Sequence, residues 1–115
     1  MKAYTDLEQS KTLSKILPIE SADMWYHGHC SPWESEREYD SEACPFHSMS
    51  PNWDKPSWSL AALLELIPDT LLSRNDDNLW SCKSVGNPII HSGWFSNPID
   101  ACYEMIIKLK ENNLI

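Results

Sequence analysis

Apolar positions recur at helical spacing in three parts of the chain. The densest run lies between Pro56 and Pro68, where Leu60, Leu63, Leu64 and Ile67 fall at i, i+3, i+4 and i+7. That spacing lines one face of a helix. Ser57 or Ser59 can cap its first turn, and Pro68 closes it. No other stretch is as apolar over as many residues, so this helix is expected at the centre of the core.

A second pattern opens the chain. Thr5-Asp-Leu-Glu8 has the form of a capping box, with Thr5 as N-cap and Glu8 at the third helical position. Leu13, Ile16 and Leu17 share a face before Pro18, which predicts a helix over 6–17. The third pattern begins at Asn97-Pro98-Ile99-Asp100: an Asn cap, proline at the first helical position and an acid in the first turn. Ile99, Cys102, Tyr103 and Ile106 keep the period, and Met105, Ile107 and Leu109 widen the stripe. Asn112 and Asn113 suit a left-handed cap, with Leu114 folding back.

Between the helices the period changes. Met24-Trp25-Tyr26-His27 is bulky and predicts a short strand. Leu79 to Val85 alternates, with Trp80, Cys82 and Ser84 on one face. Gly86-Asn87-Pro88 is turn chemistry, and Ile89 to Phe95 is a second apolar run broken by Gly93. These two runs predict an antiparallel hairpin with a bulge or close packing at Gly93. Asn75-Asp76-Asp77-Asn78 reads as a turn. The predicted class is α+β: one domain over 1–115, with about three helices packed on a small, mostly antiparallel sheet. The exception is 28–55, which holds Pro32, Pro45 and Pro51, a run of acids and no apolar period. It reads as a long irregular loop or insertion, of the kind that is functional or ordered by something it binds.

Charge narrows the function. The chain has 9 Lys and Arg against 17 Asp and Glu, a formal net charge of −8. Both nucleic acid and anionic membrane repel such a chain. No apolar run approaches the length of a membrane span, and the first residues carry no signal-peptide core. The cytoplasm is the expected compartment, with Cys30, Cys44, Cys82 and Cys102 as thiols or metal ligands.

Candidate chemistry lies in 28–55 and just before it. His27-Gly-His29-Cys30 is followed by Cys44-Pro-Phe-His47. His27 or His29 with Cys30, Cys44 and His47 would make a tetrahedral zinc site of two thiolates and two imidazoles. The bland alternative is a polar loop with two reduced cysteines. A Cys–His nucleophilic pair is a third reading, but no orienting group or oxyanion hole accompanies it. No glycine-rich phosphate loop, Gly-x-Ser-x-Gly or His-Glu-x-x-His is present. Cys82 and Cys102 read as buried structural thiols, and His91 as a structural histidine on an apolar strand. Trp33, Trp53 and Trp58 are the candidate contact aromatics for a binding surface.

The pattern Pro56-x-Trp58-Ser59-Leu60-x-x-Leu63-Leu64-x-x-x-Pro68, followed by Asn97-Pro98-x-Asp100-Ala101-x-x-Glu104-Met105-Ile106-x-x-Leu109, resembles a family of small proteins of gut anaerobes and their phages. Ala22-Asp23-Met24-Trp25 fits the same pattern, and 28–55 lies outside it. The resemblance implies a small accessory protein encoded by a phage or mobile element, and transfers no activity. The expectation is therefore a non-enzymatic module that binds a protein or a small ligand, with a structural zinc module as the alternative.

Overall fold

The computed structural model describes residues 2–29, 38–45, 55–67, 69–85 and 89–114. Three helices and two antiparallel sheets follow in the order α1 (Leu7–Ser14), a 3-10 turn (Ile19–Ser21), β1 (Met24–His29), β2 (Glu38–Cys44), β3 (Lys55–Ser57), α2 (Leu60–Leu66), β4 (Thr70–Arg74), β5 (Trp80–Ser84) and α3 (Pro98–Glu111). The α+β class is as the pattern predicts. The strands divide into a sheet of order β2-β1-β3 and a β4-β5 pair rather than forming one sheet.

The first helix starts one residue later than its sequence box suggests. Asp6 is the N-cap, accepting from the Gln9 N–H, while the Gln9 side chain accepts from the Asp6 N–H. Thr5 is displaced from the cap because its side chain turns inward. It is fully buried, and its N–H donates to the Trp58 carbonyl at 2.9 Å. Its carbonyl accepts from Tyr26 Oη and Ser57 Oγ, both at 2.9 Å. Its Oγ1 accepts from the Trp58 N–H at 3.1 Å and shares a proton with Ser10 Oγ at 2.8 Å and Ser57 Oγ at 3.1 Å. Three buried hydroxyls and a phenol thus satisfy one another where α1, β1 and β3 meet, as buried polar groups require.

Residues 28–55 are not wholly irregular: the polar segment Glu38–Cys44 is a strand on β1. Its register slips between Tyr26 and Gly28, the mark of a β-bulge. β3 flanks β1 on the other side, with Trp25 opposite Pro56.

The other half packs on α3. This helix has the caps the sequence specifies. Asn97 Oδ1 accepts from the Asp100 N–H, and Asn113 turns to φ 58°. The Leu114 N–H then bonds the Leu109 carbonyl at 2.8 Å, and the Asn113 N–H bonds that of Lys110 at 3.1 Å. That pair of bonds is a Schellman closure with Asn in the glycine position. Ile99, Cys102, Met105 and Ile106 are fully buried against β5 and α2. Leu63 and Ile67 of α2, Leu13 of α1 and Trp58 complete the core.

The predicted hairpin forms in part. Ile89 to Phe95 reaches β5 through the bridges Lys83–His91 and Trp80–Phe95. The regular ladder of β5 is instead with β4, a strand whose sequence does not alternate. The 75–78 turn closes this pair, with Asn75 Oδ1 accepting from the N–H groups of Asp77 and Leu79.

The two ends of the structure are joined by one ion pair. Lys2 Nζ reaches Asp100 Oδ1 at 2.8 Å, and Gln9 and Asn97 also donate to that carboxylate. Burial opposes the charge on both partners, but their hydrogen bonds outweigh it, lifting the Lys2 pKa and lowering that of Asp100.

Candidate functional site

Only part of the sequence-derived zinc set falls on the described residues. The antiparallel register puts Cys44 opposite Trp25 and His29 opposite Glu38. His27 is half-buried beside the bulge, and Cys44 is a half-buried free thiol at the end of β2. Cys30, His47 and the side chain of His29 lie outside the described residues. Among the described residues, no three His, Cys, Asp or Glu side chains are grouped to hold a metal.

Trp33 and Trp53 also lie outside the described residues. Trp58 is not a surface residue. It is fully buried in the core, and its indole N–H donates to Ser21 Oγ at 2.9 Å. Its ring supplies apolar volume to the core cluster that holds Leu13 and Leu63, which the local sequence does not distinguish from a contact aromatic.

The concave features are modest. A groove of about 460 Å³ runs between the 3-10 turn and α2, lined by Glu20, Asp23, Ala61 and Glu65 among others. Asp23 is engaged there as a helix-start partner, accepting from both the N–H and Oγ–H of Ser59. An apolar cavity of about 200 Å³ under Pro18 is smaller than the roughly 300–1,000 Å³ of ordinary ligand sites.

The second sheet has the more distinctive surface. Its inner face turns Leu72 and Cys82 toward α3. Its outer face carries Leu71, Lys83, Val85 and His91, with Leu71 opposite Lys83 and Lys83 bridged to His91. Leu71 is 62% exposed, Val85 60%, Ile89 65% and Trp94 48%. On β5 the bridges to His91 and Phe95 are three residues apart, but on the facing segment they are four apart. The extra residue is taken up at Gly93, whose φ of 97° strains any side chain. The bulge lets Phe95 pack inward while Trp94 stays outside, 5.8 Å from the His91 ring. Lys108 of α3 braces this edge by donating to the His91 and Ser92 carbonyls at 2.9 and 3.3 Å.

The charge of this surface is opposite to that of the chain. Residues 70–75 and 78–99 contain no Asp or Glu; their charged groups are Arg74 and Lys83, with His91. Asp69, Asp76 and Asp77 stand at the strand ends. In a chain of net charge −8, Val85, Ile89 and Trp94 therefore sit in the one long carboxylate-free tract, and Leu71 faces it from the paired strand. Sequence alternation alone missed this surface because β4 was not legible as a strand. The gap in acids from 78 to 99 was the available signal. Among the described residues, no helix is long and apolar enough to cross a membrane. Comparison of the chain with protein-family models, with curated proteins and with solved structures found no match.

Proposed function

We propose that the protein is a binding module that engages another protein through the outer face of the β4–β5 sheet. The carrying observation is the exposure of Val85, Ile89 and Trp94 on a tract without carboxylates, with Leu71 exposed on the strand paired to it. Apolar side chains exposed together on a small domain mark a contact surface more often than they mark nothing. Lys83 in the middle of this face and Arg74 at the end of β4 favour a partner that presents apolar side chains together with acids. The net charge of −8 disfavours nucleic acid on the same face. An accessory role in a phage or mobile element, as the family resemblance implies, is compatible with such a module.

A photo-crosslinking residue placed at Leu71 tests the reading, with the same residue at Lys11 on α1 as control. One discrete adduct from Leu71, lost when Val85 and Ile89 are changed to Ser, is the expected result. Identical adducts from both positions, or none from Leu71, would sink it.

A further inference from the structure

Cys82 of β5 and Cys102 of α3 are both fully buried, and their sulfurs lie 3.5 Å apart. They are 20 residues apart in sequence and belong to two elements that pack directly. A disulfide holds its sulfurs at about 2.05 Å, so closing the gap asks for roughly 1.5 Å of side-chain movement. The pair is held in place from outside. Cys82 donates its N–H to Ser92 Oγ at 2.8 Å, and its carbonyl accepts from the Ser92 N–H at 2.8 Å. The segment 89–95 thus straps the outside of β5 next to the pair.

We propose that Cys82 and Cys102 form a reversible disulfide between β5 and α3, with a low-molecular-weight disulfide of the glutathione class as oxidant. The hydrogen bond between the two sulfurs favours the thiolate at Cys82 and, with burial, pushes the Cys102 thiol up. Transient release of 89–95 admits the oxidant to Cys82. The Cys82 thiolate attacks one sulfur of the oxidant, breaks its S–S bond and expels one thiolate, leaving a mixed disulfide on Cys82. Cys102 then gives up its proton and attacks the Cys82 sulfur, breaking the mixed disulfide and expelling the second thiolate. The two protein thiols lose two electrons and two protons. The oxidant gains both pairs and leaves as two thiols. The bond fixes the inner face of the second sheet to α3, behind the exposed apolar surface. It does not depend on the binding reading.

The test uses the full chain carrying Cys30→Ser and Cys44→Ser, equilibrated under native conditions in mixtures of reduced and oxidised glutathione, then quenched with acid. The expected result is loss of two hydrogens in the intact mass, with peptides joined at positions 82 and 102. The melting temperature should rise by on the order of 10 °C over the reduced chain. The Cys102→Ser version should stop at a glutathione adduct on Cys82. Retention of both thiols in the folded chain, arrest at the adduct with Cys102 present, or a lowered melting temperature would overturn the proposal. Peptide mapping of the unsubstituted chain in the same mixtures must show the same link, which keeps the test decisive if the serine changes unfold the protein.

Discussion

The two sheets are fastened to their helices by different chemistry. Around β1 and β3 the fastening is polar: Thr5 spends its N–H, carbonyl and hydroxyl on Tyr26, Ser57 and Trp58. Behind β5 it is apolar, with Cys82 against the fully buried Cys102, Met105 and Ile106 of α3. Directional bonds fix one arrangement and tolerate few substitutes, whereas apolar packing is non-directional and needs only volume. Where packing on one face suffices to hold a sheet, the opposite face is free to carry exposed Leu71 and Val85.

The comparison can be broken from its apolar side first. Ile106→Ala removes a fully buried side chain from the α3 face and should cost about 2–5 kcal/mol, read as a lower midpoint in urea denaturation. A loss below that of the polar-side variants would contradict an apolar fastening. Thr5→Val tests the other side at constant shape. It leaves the buried Trp58 N–H without its Oγ1 acceptor and should cost about 1–3 kcal/mol. Tyr26→Phe should cost about 1 kcal/mol, because Ser57 still donates to the Thr5 carbonyl.

Tyr26 also has a pH signature. Burial, with Tyr4 and Asp6 nearby, pushes its pKa up from 10.0 to about 12. The folded state therefore holds this proton more tightly than the unfolded chain does. The resulting stability is complete below pH 10 and lost as pH rises to about 12. Denaturation midpoints measured over that window should fall less steeply in Tyr26→Phe than in the parent; equal slopes would place the loss elsewhere. The smallest effect is expected on the free face. Leu71→Ser and Val85→Ser should each change stability by no more than about 0.5 kcal/mol. A larger drop would mean that these side chains pack in the fold rather than wait for a partner.

Legibility in the sequence followed how local each signal is. The Asn97 cap, the stripe of α3 and its Asn113 closure are written within one segment and read correctly. So did the turn at 75–78 and the Gly93 bulge, since both need particular residues at particular positions. β4 and β2 carry no alternation strong enough to announce them. Thr70-Leu-Leu-Ser-Arg and Glu-Tyr-Asp-Ser-Glu-Ala-Cys become strands because β5 and β1 offer them a ladder. The capping box at Thr5 misread by one residue because the competing demand came from Ser57 and Trp58, far along the chain. For the candidate surface, His91 read as a structural histidine on an apolar strand; its Nδ1 does accept from the Gly93 N–H, but its ring is exposed beside Trp94. The missing information was which strand lay on the other side of Lys83.

The Thr5 junction also sets an order for building the protein. Its partners at Ser57 and Trp58 stand 52 and 53 residues away, so the ribosome releases α1 and β1 well before these two partners. An eight-residue helix such as α1 is too short to persist alone in water. The Thr5 junction therefore cannot close during synthesis until Trp58 has been made.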